Sequence, residues 1–181
     1  MPPVTEPTGD HRDPPDHLDR LARFDDSLRQ GTHLWHTLGY RRLAWERGST
    51  TIAWEATPEY GFPTRSGTVI QGGLVTALLD AAMGGACWSV LDAGEAFLTA
   101  DLRVEFLRST RPGPVSATGT VVRRTRRVVF CQAELTDADG VVLAASRCTQ
   151  VVLPADGAAG RYDTPAGDAP ADGGPPEDAR G

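Results

Sequence analysis

The stretch from Gly72 to Leu91 constrains the fold most, because its residues are apolar or small on nearly every helical face. This pattern is typical of a helix surrounded by protein. Asp80 lies near its centre, where a charge would be expensive in lipid, and strand-like segments follow closely. The sequence therefore predicts a buried central helix in a soluble protein, and no membrane span.

Four strand-like segments follow the helix, at residues 97–107, 115–124, 127–136 and 141–153. In the first, even-numbered residues 98–106 are apolar and odd-numbered residues 99–105 are polar, which predicts one buried and one wet face. Asp137 to Gly140 predicts a tight turn. Because such short connections require antiparallel pairing, we expect an α+β fold in which an antiparallel sheet of five to six strands wraps around the helix.

The region ahead of the helix predicts three more elements. Residues 16–31 have apolar side chains at roughly helical spacing, with Asp16 as the N-cap, and predict a short helix. Residues 40–46 and 50–56 are apolar and β-branched runs that predict a hairpin. Residues 57–68, which contain two prolines and two glycines, predict a loop.

The length of 181 residues and the 40% hydrophobic content suit one core. We expect one domain at residues 17–154, with a disordered tail at 1–16 and an acidic, Gly/Pro/Ala-rich disordered tail at 155–181. The two tails together carry a charge of −7, which leaves residues 17–154 at +1 within the formal net charge of −6. A nearly neutral domain argues against a nucleic-acid partner. Since the acidic N-terminus lacks the pattern of a signal peptide, we expect a cytoplasmic protein.

Several catalytic mechanisms are disfavoured by residue type. The chain has no lysine, which excludes a Schiff base, and no G-x-S-x-G elbow. The histidines all precede the central helix and give no convincing ligand set, so we expect no metal and no cofactor: they are His11, His17, His33 and His36. The cysteines lie in apolar runs and are predicted to be inert core thiols: they are Cys87, Cys131 and Cys148.

The segment from Gly67 to Gly73 leads directly into the helix that carries Asp80. Two glycines at a helix start leave backbone N–H groups unshielded, where the helix dipole adds positive potential. A lone buried acid two turns further on suits acyl-group hydrolysis without a Ser or Cys nucleophile. The alternatives are a structural buried acid at residue 80 and glycines that serve only a tight turn or close packing.

Residues 67–85, which read GTVIQGGLVTALLDAAMGG, resemble the signature of the hotdog-fold acyl-CoA thioesterases of the phenylacetyl-CoA (PaaI-like) type. The later segments FLTADLRVEFLRSTRPGPVSATGTVVRRTRR and ELTDADGVVLAASRCTQVV resemble the sheet of that family, so the resemblance covers about residues 20–153. It implies that Asp80 attacks the thioester or activates water, that Gly72 donates its N–H to the carbonyl oxygen, and that Thr99 orients the water. It also implies a dimer or a dimer of dimers, with sites assembled across the subunit interface.

Two positions depart from this family. Gln71 stands where the family usually has His, and an amide can orient a thioester but cannot act as an acid or base near neutral pH. Arg65 stands where an Asn or Gln is common. The small residues around Asp80 leave room for a substrate, and Trp88 can shape an acyl pocket. The predicted substrate-binding residues are Arg65, Gly73, Thr76, Gly84 and Trp88.

An arginine cluster lies at a predicted hairpin, and in the family such turns meet the phosphates of CoA. Guanidinium groups match phosphate geometry well. The alternative is a solvated basic turn. The predicted phosphate-binding residues are Arg123, Arg124, Arg126 and Arg127.

Three functions remain open from the sequence. The first is a thioesterase acting on an acyl-CoA or a carrier-bound acyl thioester, with Asp80 as nucleophile or general base. The second is a non-catalytic module that binds an acyl thioester or small metabolite, which Gln71 in place of His favours. The third is an acyl-thioester dehydratase or hydratase, although such relatives generally need a His.

Overall fold

The computed structural model describes residues 34–153. In chain order its elements are α1 (Leu34–Leu38), β1 (Arg41–Glu46), β2 (Ser49–Ala56), a 3₁₀ turn (Pro58–Tyr60), β3 (Gly61–Thr64), β4 (Gly67–Ile70), α2 (Gly72–Trp88), β5 (Ala96–Phe106), β6 (Gly113–Arg124), β7 (Val128–Asp137) and β8 (Val142–Leu153). The helix predicted at residues 16–31 lies outside the described residues.

Six strands form one antiparallel sheet in the order β1-β2-β6-β7-β8-β5. The hairpin predicted at residues 40–56 is confirmed as β1–β2, and the four later strands are confirmed within two residues of their predicted ends. At the predicted tight turn, the Asp137 side chain accepts hydrogen bonds from the backbone amides of Asp139 and Val141. Gly140 has the positive φ of 78° that the turn requires. The sheet and α2 together form the hotdog fold.

The central helix α2 packs on the inner face of the sheet. Its buried face contains Leu78, Leu79 and Met83, each 0% exposed. The helix and sheet approach each other closely at Gly119 on β6, where an added Cβ atom would clash with the backbone of Ala82. The helix is not covered on every side by its own chain, because its opposite face is only partly buried. No described helix is long and apolar enough to cross a membrane.

Strand β5 departs from the predicted simple alternation. A β-bulge between Thr99 and Asp101 reverses the side-chain order. Leu98 is therefore 42% exposed, although the alternation predicted it on the buried face. Thr99, predicted on the wet face, turns toward α2 and bonds to it.

Residues 57–68 were predicted to be a loop, and this is wrong. They form the 3₁₀ turn and most of a separate β3–β4 hairpin. The Arg111 guanidinium donates to the Ser66 and Thr68 carbonyl oxygens of this hairpin. The hairpin ends directly at the start of α2, so it fixes the entry of the chain into the helix.

Candidate active site

Asp80 lies in the middle of α2, on the partly exposed face of the helix. The Thr99 hydroxyl donates to Asp80 Oδ1 over 3.0 Å. Thr99 Oγ1 is also 3.0 Å from Oε1 of Gln150, its direct partner on β8. Gln150 Nε2 in turn lies 3.2 Å from Cys148 Sγ. A polar chain thus runs from the helix carboxylate into the sheet.

The surroundings of Asp80 make its charged form less favourable. Burial raises the pKa of Asp80, and the hydrogen bond from Thr99 lowers it by a smaller amount. A carboxyl group with a raised pKa and open access can take up and return a proton nearer to neutral pH than an ordinary aspartate. The group has the properties of a general base, and it is also accessible enough to attack an electrophile.

The start of α2 offers unshielded backbone amides. Gln71 occupies the N-cap position, and its backbone N–H donates to the Tyr60 carbonyl oxygen over 2.9 Å. Within residues 34–153, the amides of Gly72 and Gly73 have no hydrogen-bond acceptor. Gly73 is exposed, and a Cβ there would meet no atom within 4 Å. The two amides are therefore available to an anionic oxygen from outside.

The remaining predicted residues near the helix start have different surroundings. Gln71 is exposed, and its side chain does not cap the helix. Arg65 is exposed at the tip of the β3–β4 hairpin. The Thr76 hydroxyl donates to the Gly72 carbonyl oxygen of its own helix over 2.9 Å, so its proton is already used.

An apolar wall continues along α2 from Asp80. Gly84 and Trp88 follow at intervals of four residues and therefore lie on the same helical face. Phe97 from β5 covers both: its ring is 6.4 Å from that of Trp88, and a Cβ at residue 84 would lie 3.3 Å from its Cζ. Because residue 84 has no side chain, the Phe97 ring can pack closely against the helix at this position. Phe97 was not anticipated from the sequence, because simple alternation does not place it on this face.

The carboxylate and the free amides are too far apart within one chain to act on one group. Asp80 follows Gly72 by eight residues, which is about 12 Å along a helix axis. Catalytic groups act within about 3 Å of the reacting atoms. Asp80 and the free amides of one chain therefore cannot act together on one bound group.

The arginine cluster lies at the β6–β7 hairpin. Arg123, Arg126 and Arg127 are exposed. Arg124 is different, because its guanidinium pairs with Asp92 at 2.7 Å and Glu95 at 2.6 Å and also donates to the Val90 carbonyl oxygen. It ties the segment after α2 to the sheet, which is a structural role.

Other candidate groups lie elsewhere. A cavity of about 450 Å³ lies on the outer face of the sheet, lined by residues such as Arg103, Gln132 and Arg147, and not beside Asp80. The three cysteines are buried and none forms a disulfide, as predicted. His36 is exposed on α1, and the other histidines lie outside the described residues. Residues 34–153 contain no cluster of three or more His, Cys, Asp or Glu that could hold a metal ion.

Comparison with known proteins supports the resemblance noted in the sequence. Residues 67–144 match the model of the thioesterase superfamily. A protein of Saccharolobus solfataricus, whose name gives esterase as an inferred activity, is 26% identical over 122 residues, which cover 67% of this chain and 84% of that protein.

Solved structures share the fold. A thioesterase family protein from Silicibacter pomeroyi has a TM-score of 0.66 and 23% identity, with 76% of this chain and 98% of that chain covered. The PaaI protein of the Escherichia coli phenylacetic acid degradation operon has a TM-score of 0.65 and 18% identity, with 75% and 94% covered. At these identities the likeness shows the hotdog fold alone.

Proposed function

From the match of this hotdog-fold chain to the thioesterase superfamily, we propose that the protein hydrolyses an acyl-CoA or carrier-bound acyl thioester. The observation that carries the proposal is the Asp80 carboxylate, which is partly buried, has a raised pKa and accepts a hydrogen bond from Thr99 on the open face of α2. Amides free to bind an oxyanion are present at the start of the same helix.

The complete site requires a second copy of the chain. Two copies related by a twofold axis can bring Asp80 of one protomer to the Gly72 amide of its partner, and the symmetry then makes two equal sites. The small, partly exposed face of α2 leaves space for a substrate between the copies. We infer a homodimer as the smallest active unit, with a dimer of dimers as a larger form of the same arrangement.

In the general-base route, Asp80 takes a proton from water while the water oxygen attacks the thioester carbonyl carbon. The carbonyl oxygen becomes an oxyanion that accepts hydrogen bonds from the amides of Gly72 and Gly73. The carbon–sulfur bond then breaks, and the proton on Asp80 passes to the leaving sulfur. In the nucleophilic route, Asp80 attacks the carbonyl carbon, the carbon–sulfur bond breaks, and the thiolate leaves and takes a proton from water. A second water molecule then hydrolyses the resulting anhydride and regenerates Asp80. Both routes give a carboxylic acid and a free thiol.

Different surrounding residues are suited to bind different parts of the substrate. Gln71 is exposed beside Gly72 and can hydrogen-bond the thioester, with Arg65 on the neighbouring hairpin. The apolar surface beside Gly84, formed by the Phe97 and Trp88 rings, is suited to the acyl group. Arg123, Arg126 and Arg127 are suited to the phosphates of CoA, whereas Arg124 is held by Asp92 and Glu95.

The test is release of free thiol from a panel of acyl-CoA thioesters by the purified protein. We expect Asp80→Asn to lower the rate by about 10²- to 10⁴-fold, the usual contribution of acid–base catalysis. Asp139→Asn, which makes the same chemical change on an exposed turn, is the matched control. Undiminished thiol release in Asp80→Asn would refute the role of Asp80.

A second candidate is a binding module that has lost the chemistry, which Gln71 favours because it cannot transfer protons near neutral pH. It would bind acyl thioesters tightly and release no thiol from any of them.

The third candidate is an acyl-thioester dehydratase or hydratase. Mass analysis of the products distinguishes it from a thioesterase, because dehydration removes water from the acyl chain whereas hydrolysis frees the chain.

A further inference from the structure

Gln150 is a fully buried polar residue that the proposed mechanism does not use. It is 0% exposed, on the helix-facing side of β8. Its amide lies between two other side chains, with Thr99 Oγ1 at 3.0 Å and Cys148 Sγ at 3.2 Å. Thr99 is in turn the residue that bonds to Asp80. Gln150 therefore has indirect contact with the carboxylate through a single hydroxyl group.

The number of available protons limits how the hydrogen bonds among Asp80, Thr99 and Gln150 can be arranged. The Thr99 hydroxyl has one proton, but two oxygen atoms lie 3.0 Å from it. An ionised Asp80 only accepts, and so does Oε1 of Gln150. If the proton points to Asp80, Oε1 faces the lone pairs of Thr99 Oγ1 with no proton between them, which is unfavourable for buried polar atoms.

Turning the Gln150 side-chain amide by 180° exchanges its oxygen and nitrogen and resolves this conflict. The turn fits the same space, because the two ends of the amide have nearly the same shape. Nε2 then donates to Thr99 Oγ1, the hydroxyl donates to Asp80, and Oε1 faces the Cys148 thiol. A hydrogen bond to Cys131, followed by burial, raises the pKa of Cys148, so this group is a thiol. In this arrangement its single proton turns from Cys131 to Oε1 of Gln150. We propose that Gln150 is a positioning residue, whose amide nitrogen holds the Thr99 hydroxyl so that its proton points at the Asp80 carboxylate.

This inference rests on the proposed catalytic role of Asp80, and its consequence is a change in pH dependence. Thr99 faces Asp80 from β5, and Cys148 is the ionisable group that interacts with it from β8. Within residues 34–153, no charged side chain contributes to the raised pKa of Asp80. Because the bond from Thr99 lowers this pKa, loss of the group that orients Thr99 should raise it.

The experiment measures kcat/KM for thiol release against pH. Gln150→Met keeps the length of the side chain and removes the amide, and we expect it to move the ascending limb to higher pH by roughly half a pH unit or more. Ser146→Ala is the control, because it removes a different buried hydrogen bond from β8, to the Arg103 carbonyl oxygen. An unmoved limb in Gln150→Met, or a limb at lower pH, overturns the inference.

A double-mutant cycle with Thr99→Val separates positioning from a simple change in polarity. If Gln150 acts through Thr99, Gln150→Met moves the limb no further in the Thr99→Val background; an undiminished additional displacement overturns the inference.

Should Gln150→Met fail to fold, the side-chain amide ¹⁵N resonance of Gln150 in the unmutated protein gives the second measurement. We expect it to titrate with the midpoint of the rate profile and to lose that midpoint in Asp80→Asn, and a resonance unaffected by Asp80 overturns the inference. Full thiol release in Asp80→Asn would instead refute the proposed function itself.

Discussion

Thr99 donates a hydrogen bond to Asp80 because a β-bulge directly after Thr99 turns its side chain toward the central helix. With regular alternation, Thr99 would point to the same side as Asp101, away from the helix. The bulge therefore connects an irregularity of the edge strand to the electrostatics of the candidate site. Bulges often redirect a side chain next to an active site.

Thr99→Val should move the ascending limb of the pH–rate profile to higher pH. The Asp80 pKa is already raised by burial, and the Thr99 hydroxyl is the group that lowers it. Because Asp80 has to be ionised to act, a higher pKa means less active protein at a given pH below it. The profile of kcat/KM against pH measures this. Thr99→Ser keeps the hydroxyl and should retain the original limb; identical profiles for Val and wild type would contradict the prediction.

Asp80→Asn should make the folded protein more stable near neutral pH. A native pKa above the ordinary value of about 3.9 means that the folded state binds more protons than the unfolded state in the window between the two values. Wild-type stability therefore decreases as pH rises through this window, and the variant avoids that loss. Where the folded and unfolded pKa values of a carboxyl group differ by one, the free energy of unfolding changes by about 1.4 kcal/mol.

Denaturant unfolding at several pH values measures the difference in free energy of unfolding between Asp80→Asn and wild type. It should shrink as pH falls through the raised pKa toward the ordinary value. Asp139→Asn, on an exposed turn, reports the effect of an equivalent charge change elsewhere. A stability difference between Asp80→Asn and wild type that is independent of pH would show that the carboxylate is not destabilised by its surroundings.

Gly72→Pro should remove the oxyanion donor while preserving the helix. Proline is favoured at the first helical position, and Gln71 already has the extended conformation that a following proline requires, with φ −60° and ψ 125°. Loss of one such donor typically costs about 10²- to 10³-fold in kcat.

Gly72→Ala is the matched control for the proline variant. It adds the same Cβ, which lies 3.1 Å from Phe106 Cζ, but retains the N–H. The ratio of kcat between the two variants isolates the amide proton. Equal rates would argue that the start of α2 does not bind the oxyanion.

The double variant Arg126→Ala/Arg127→Ala should raise KM for acyl-CoA by about tenfold and leave kcat nearly unchanged. The two side chains are exposed on the β6–β7 hairpin, and a loss of phosphate binding weakens ground state and transition state equally. A thioester of pantetheine without the nucleotide should show no change. Arg41→Ala, an exposed arginine on β1, is the charge control. The same loss with both substrates would point to a structural effect of the hairpin instead.

The fold could be predicted from the sequence because its main signals are strong and local. The apolar residues of α2, the four strand-like segments that follow it and the turn at Asp137 to Gly140 all agreed with one architecture. The β3–β4 hairpin was missed because its strands are short and contain a proline and glycines, which normally indicate a loop. Some of its hydrogen bonds come from Arg111, which is distant in sequence.

The candidate site was only partly predictable. Asp80 and the glycines stood out as exceptions in an apolar helix, but nothing in β5 indicated a bulge, and so the direction of Phe97 and Thr99 depended on tertiary structure. Gln150 did leave a signal. Alternation in β8 puts it on the same face as Cys148 and Val152, where a polar residue needs a partner. The pairing of Arg124 with Glu95 could not be inferred, because it joins the end of β6 to the turn before β5, which is distant in sequence.

The hydrogen atom at residue 119 sets the depth at which the helix rests on the sheet. Since Ala82 lies two residues from Asp80, any side chain at 119 would lift the helix and move the carboxylate away from Thr99 and Gln150 together. Substrate range and catalytic alignment can consequently change independently. In the proposed site, position 88 can vary to suit a larger or smaller acyl group, whereas position 119 has to remain glycine.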